Sequence, residues 1–203
     1  MKTVKFLFVL LFILSTPLQL FGRVTESAEN LLRIIHKVNR HWQENNSPQV
    51  RSFWDNAAYH TGNMEVYELT GNTAYLKYST DWAEYNHWKG AASDNKAEWR
   101  YGYGETPQYV LFGDWQCCFQ TYADLYGIRG DDRKIARARE VMEYQMGTDK
   151  NDYWWWADGL YMVMPVMTKL HRITKNPLYL EKLYEYFSYA DSVMYDPEVG
   201  LYY

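Results

Sequence analysis

Three helix–turn–helix units recur along this chain, and a repeat of that kind restricts the fold to stacked helical hairpins. The turns align as Leu69-Thr70-Gly71-Asn72 ahead of Tyr75 and Leu76, Ile128-Arg129-Gly130-Asp131 ahead of Lys134 and Ile135, and Ile173-Thr174-Lys175-Asn176 ahead of Tyr179 and Leu180. In each, an Asn or Asp stands where its side chain can cap the second helix, and Pro177 takes a first-turn position that tolerates its missing N–H. Counting back from Leu69, Ile128 and Ile173 by 14, 14 and 15 residues reaches Asp55, Asp114 and Asp158. Three aspartates therefore recur near the start of the first helix of each hairpin, at one end of the stack. Each has a Trp close by in sequence: Trp54, Trp115 and Trp156.

Apolar periodicity predicts helices over 25–45, 53–70, 73–88, 113–127, 131–146, 157–174 and 177–194. No convincing strand alternation is present, although short aromatic turns can pair locally. The longest non-helical stretch runs from Lys89 to Leu111, with Gly90, Gly102, Gly104 and Pro107 interleaved with Trp99, Tyr101, Tyr103 and Tyr109. A loop of that length inside a compact domain is usually functional. The fold class is all-α.

Aromatic residues make up 18% of the 203 residues, and the net charge is −4, so the chain carries no basic footprint for nucleic acid. Tyr and Trp present an apolar body with a polar handle, which suits a wet, aromatic-lined cleft or a bulky core. Lys2 and Lys5, the apolar run from Phe6 to Leu14 and the segment Ser15 to Gly22 make the three-part pattern of an export signal. We expect residues 1–22 to be that signal, residues 23–203 to be one partial domain, and the protein to be secreted or periplasmic, with no other membrane association. Cys117 and Cys118 are adjacent, too awkwardly directed on a helix for a disulfide, and read as small buried hydrophobes. His36, His41, His60, His87 and His171 show no ligand spacing, so no metal and no cofactor are expected.

Any one Asp near a helix start is explained by capping and the helix dipole. Their repetition beside Trp favours sugar chemistry, because ring faces stack on pyranoses while a partly desolvated carboxyl keeps its proton long enough to donate it.

The stretch Trp154-Trp155-Trp156-Ala157-Asp158-Gly159-Leu160-Tyr161-Met162-Val163-Met164-Pro165 resembles the catalytic-helix motif of the unsaturated uronyl hydrolases of glycoside hydrolase families 88 and 105, nearest the unsaturated rhamnogalacturonyl hydrolase type. Phe112-Gly113-Asp114-Trp115, followed by Leu125-Tyr126, resembles the helix carrying the family's second aspartate. Ala58-Tyr59-His60-Thr61-Gly62 resembles the first substrate-facing motif. The resemblance covers residues 30–203 and implies an (α/α)6 toroid acting on lyase-generated oligosaccharides that end in a C4=C5 unsaturated uronic acid. It implies that Asp158 protonates the vinyl ether at C4 and assists water at C5, that Asp114 binds ring hydroxyls and tunes Asp158, and that Trp54, Tyr59 and Trp156 contact the sugar. The site would then have to keep Asp158 protonated near neutral pH.

At about 50 residues per hairpin, six hairpins need roughly 300 residues. The chain supplies about seven helices, so a carboxy-terminally truncated toroid is expected, with apolar helix faces left exposed and without the family's Arg/Gly/Trp motif for the uronate carboxylate. The run Tyr153-Trp154-Trp155 also departs from relatives with basic residues there. The alternative is a non-catalytic carbohydrate-binding helical scaffold. Met162, Met164 and Met167 around Pro165 read as core filling in a kinked inner helix, and the Asp131–Lys134 cluster and Arg137, Arg139 and Glu140 as a solvated outer face. His60 is open between core hydrogen bonding and sugar contact, and His171 reads as structural.

Overall fold

The computed structural model describes residues 27–203, so the expected export signal at 1–22 lies outside the described residues. The chain divides after Ser47 into two compact units. Helix α1 (27–45) is the described part of the first. The second, Pro48–Tyr203, holds α2 (Trp54–Thr70), α3 (Thr73–Tyr85), a single 3-10 turn (Lys96–Glu98), α4 (Gly113–Gln116), α5 (Cys118–Ile128), α6 (Arg133–Met146), α7 (Ala157–Thr174), α8 (Leu178–Met194) and the short strands β1 (Tyr195–Asp196) and β2 (Leu201–Tyr202). The α4–α5 boundary is slight, because Cys117 between them keeps right-handed helical angles.

In this second unit α2/α3, α5/α6 and α7/α8 are helical hairpins, and α5 packs against both α2 and α7. The result is an inner row α2–α5–α7 and an outer row α3, α6, α8, the two-layered helical arrangement that an (α/α)6 toroid repeats. Central α5 is buried over nearly its whole circumference, from Cys118 to Ala123 and again at Leu125. The three repeated turns are built alike. Asn72, Asp131 and Asn176 each accept a backbone N–H two residues on, from Ala74, Arg133 and Leu178, at 3.0, 3.1 and 3.1 Å. These bonds satisfy donors at the start of each outer helix that would otherwise lack partners.

The two rows, and the inner helices themselves, are held together by polar contacts as well as apolar ones. Asn63 on α2 donates to Tyr75 O and Ser79 Oγ of α3, both at 2.7 Å. Pro165 inside α7 has no N–H to offer the carbonyl one turn back, that of Tyr161. Buried Gln120 on α5 supplies the missing donor, bonding Tyr161 O at 2.9 Å and Met162 O at 3.0 Å. The proline's defect thus becomes a link between α5 and α7, next to the cleft described below.

Several details depart from expectation. Helix α3 stops at Tyr85 rather than 88, because His87 and Trp88 take left-handed angles (φ 52° and 58°). That conformation is costly for a bulky residue. It is offset by burial of the Trp88 ring against Tyr122 at 5.4 Å and by the Trp88 N–H bond to Ala83 O. Arg137 is not on a solvated face: it is only 6% exposed. Its guanidinium lies under the Lys89–Leu111 loop, donating to Ser93 O and Ala91 O and to Glu140 Oε2, because the loop's buried carbonyls need donors that its irregular backbone lacks. Arg139 and Glu140 remain nearer the surface, and Asp131 with Arg133 forms an exposed pair. The paired strands after α8, in register Tyr195 with Tyr202 and Asp196 with Leu201, realise the local aromatic pairing. Leu178, Leu180, Tyr184 and Val193 on α8 are exposed apolar residues.

Replacing Gln120 with Leu keeps the volume but leaves the Tyr161 carbonyl with no donor, at a cost of about 1–3 kcal/mol. Denaturant unfolding should show a lowered midpoint with an unchanged slope; an unchanged midpoint would remove Gln120 as the link between α5 and α7.

Candidate active site

The first-turn aspartates share one backbone position. Each is the second residue of its helix, and the residue capping that helix is aromatic with an extended backbone: Phe53 before Asp55, Phe112 before Asp114, Trp156 before Asp158. None of these caps makes a side-chain hydrogen bond to the helix end. The aspartates are therefore first-turn residues and not the caps themselves. The three aromatic caps and the three carboxylates two residues later all line one cleft of about 640 Å³.

Trp156 sets the spacing between two of these helix starts. A Cβ on Gly113 would stand 3.0 Å from its indole, and one on Gly159 3.3 Å. The ring thus lies against the glycine next to Asp114 and the glycine next to Asp158, and it also packs on Phe112 with ring centres 5.0 Å apart. Beneath Trp115, Gly90 allows the close approach of backbone: a Cβ there would be 2.0 Å from Trp115 O.

Asp114 is buried, at 6% exposure, whereas Asp158 and Asp55 are exposed. Burial, first, and then the negative charges of Asp158, Glu105 and Asp55 push the Asp114 carboxyl up to about 6. The burial expected at Asp158 is found at Asp114 instead, and Asp158 itself is exposed. Neighbouring Cys117, also on the cleft wall, has its thiol pushed up to about 12 by burial and by Asp114, which makes it no nucleophile near neutral pH.

Trp54 (44% exposed) and Trp156 line the cleft, but Tyr59 does not. Its ring sits one turn further along α2, edge-on to His60 and Tyr78 at 5.2 and 5.8 Å. His60 is itself core: it stacks on Trp82 at 3.9 Å, bonds Ser79 Oγ through Nδ1, and burial lowers its imidazole to about 3. His171 bonds the Asn176 carbonyl at the end of α7. In the aromatic run, Tyr153 and Trp154 are buried against Tyr186, and Trp155 alone opens onto the cleft, 43% exposed. Sequence reasoning missed Tyr161, Tyr103, Glu105 and Arg51, which complete the wall. The placing of Tyr161 was legible: it lies three residues beyond Asp158, on the same helix face, with its hydroxyl bonded to Thr61 Oγ1 at 2.8 Å. Tyr103 and Glu105 come from the irregular loop, where no period betrays direction. Among the described residues no group of three or more His, Cys, Asp or Glu is arranged to hold a metal, and no helix is long and apolar enough to cross a membrane.

A family model described as Glycosyl Hydrolase Family 88 matches residues 28–203. The chain belongs to that family. The family 88 chain is 71% identical to a solved structure described as glycosyl hydrolase family 88 from Bacteroides vulgatus, with a TM-score of 0.85, over 86% of this chain and 50% of that one. It is 70% identical to a second solved chain, described as a polysaccharide lyase, with a TM-score of 0.85, over 87% of this chain and 50% of that one. Among curated proteins it is 24% identical over 157 residues to the unsaturated 3S-rhamnoglycuronyl hydrolase of Formosa agariphila, covering 73% of this chain and 39% of that protein. The family 88 chain thus spans half or less of the length of each relative.

A carboxyl titration of this chain by carbon-13 NMR should find the Asp114 midpoint near 6. Asp158→Asn removes one of the negative neighbours and should move that midpoint down, while the part due to burial persists. A midpoint in the ordinary carboxylate range in the unsubstituted chain would overturn this account of the cleft.

Proposed function

We propose that this chain carries the acid–base half of an unsaturated uronyl hydrolase. On this reading it removes a C4=C5 unsaturated uronic acid from the non-reducing end of lyase-generated oligosaccharides such as rhamnogalacturonan fragments. The observation that carries the proposal is the pairing of Asp114, pushed up to about 6, with exposed Asp158 in one aromatic-walled cleft.

Hydration of a vinyl ether needs a proton delivered to carbon and a water steered to the neighbouring carbon. Of the two aspartates, Asp114 is the one that burial pushes toward its protonated form. In the empty cleft Asp114 carries that proton below about 6 and can pass it to Asp158. Asp158 is the member exposed to an incoming ring, and we assign it the transfer to C4. The cation that develops at C5 and O5 is stabilised by the surrounding carboxylates. Asp158, now ionised, takes a proton from the water that adds to C5. The resulting hemiketal opens to a ketone, and the hemiacetal left at C1 expels the leaving sugar with its hydroxyl restored. Trp54, Trp155 and Trp156 offer ring faces for stacking, and a bound ring excludes water from the carboxyls beneath it, which strengthens their interactions.

A lyase reading also has a basis, since one relative bears that description. The two reactions have opposite optical signs: the hydrolase consumes the conjugated double bond, whereas the lyase creates it. A non-catalytic carbohydrate-binding scaffold changes absorbance in neither direction. We further propose that the protein is exported, supported by the charge and apolar pattern of residues 1–22.

With unsaturated disaccharides as substrate, ultraviolet absorbance should fall. Asp158→Asn and Asp114→Asn should each slow that fall by about 10²-fold or more while sugar binding is retained. The Asp114 carboxyl is protonated below about 6 and loses its proton above, so kcat/KM should decline as pH rises through that value. Rising absorbance on intact polysaccharide would establish the lyase reading instead, and unchanged absorbance with bound sugar the scaffold.

A further inference from the structure

Among the described residues the cleft wall carries four acidic side chains, Asp55, Glu105, Asp114 and Asp158, and a single cationic one, Arg51. Such a wall repels an acidic sugar unless the cation receives it. Arg51 enters the cleft from the segment ahead of α2, and its guanidinium lies over the Phe53 ring, 4.5 Å from the centroid. The ring supports one face of the guanidinium and leaves its edge to hydrogen-bond. That edge is occupied by two carboxylates of the protein itself: Nη1 donates to Glu105 Oε2 at 2.5 Å and Nη2 to Asp55 Oδ2 at 3.4 Å.

The two partners differ in how they are held. Asp55 is fixed on α2, where its Oδ1 also accepts the Asn56 backbone N–H at 2.9 Å. Glu105 comes from the long Lys89–Leu111 loop, is exposed, and has only the distant Tyr103 hydroxyl (3.5 Å) as a further side-chain contact. Exposed ion pairs of this sort contribute little to stability. Glu105 can therefore be exchanged for another carboxylate or a sulfate at small cost.

We propose that Arg51 is a substrate-anion receptor of this cleft, and that Glu105 occupies it in the empty protein as an internal stand-in that an acidic sugar displaces. Arg51 then selects acidic over neutral oligosaccharides, and Glu105 raises the threshold for weakly acidic or esterified ones. The inference rests on the reading of the cleft as a sugar site but not on turnover.

The test is calorimetric binding to the full chain, with an unsaturated uronyl disaccharide and its methyl ester as probes. A second pair of probes carries the acidic group on the other sugar, as a sulfated disaccharide and its desulfated form. The unsubstituted chain should bind the acidic member of at least one pair about tenfold more tightly. The pair that discriminates identifies whether the anion is the uronate or a group on the leaving sugar. Arg51→Gln should abolish that preference, and Arg51→Lys should restore only part of it, since Lys lacks the planar fork. Glu105→Gln should tighten acidic ligands when Arg51 is present and leave affinity unchanged in the Arg51→Gln background, a double-mutant cycle that separates competition for Arg51 from general relief of negative charge. Equal preference in the presence and absence of Arg51, no preference in either probe pair, or an equal Glu105 effect in both backgrounds would overturn the proposal. The ultraviolet assay run beside it reads the hydrolase function separately: a chain that binds by this rule without turnover keeps the Arg51 assignment and loses the enzymatic one.

Discussion

Everything in the cleft depends on how the Trp156 ring fits between two glycines. Gly113 and Gly159 each lie one residue from a carboxylate, and a single added carbon on either would enter a tight contact with the indole. The indole is thus a spacer of fixed thickness between the starts of two inner helices. It rests on Phe112, the aromatic cap of the Asp114 helix, so the caps are packed to each other and their carboxylates follow. Such a device needs no hydrogen bonds at the helix ends and accordingly shows none from the caps. Rigid elements hold reacting groups more closely than loops do, which is what a proton transfer over a bond length requires.

The same packing produces the electrostatics. Asp114 is buried because its helix starts beneath Trp156 and beside α5, and its neighbours are negative because the repeat brings a second and third first-turn aspartate to the same rim. Burial and repulsion act in one direction on a carboxyl, toward the neutral form. Arg51 does not cancel this, since its charge is already engaged by Asp55 and Glu105. A site with one buried carboxyl pushed toward its protonated form among exposed carboxylate side chains is suited to moving a proton and to stabilising a cation, the two demands of vinyl ether hydration.

How much of this was legible follows from the kind of order each residue takes part in. The helices and their caps carry a period, and the turns at Asn72, Asp131 and Asn176 were readable together with the three aspartates at the opposite end of the hairpins. The aromatic two residues before each aspartate was equally present in the sequence as Phe53, Phe112 and Trp156, but attention to Trp alone paired Asp55 with Trp54 and Asp114 with Trp115 instead. Tyr59, four residues beyond Asp55 on the same side of α2, lies one turn further along the helix, where its ring packs edge-on against Tyr78 and His60 and does not line the cleft. Arg137 looked like its charged neighbours because the loop that covers it lies more than forty residues away in sequence.

That covering loop ties the site to the far side of the hairpins. Arg137 on outer helix α6 grips the Ala91 and Ser93 carbonyls, Trp99 closes over its guanidinium at 4.8 Å, and the loop then returns along the cleft to present Tyr103 and Glu105. On the cleft side the Trp115 indole donates to Gly104 O at 3.2 Å, immediately before Glu105. The loop is therefore pinned at its first third and again at Gly104, and the segment that meets Arg51 is short. Its carboxylate can yield to a ligand by side-chain rotation alone, with the backbone staying in place. A cleft so arranged carries its first-turn aspartates on helices and Glu105 on a loop, and the two stay linked because the Glu105 charge helps push the Asp114 carboxyl up.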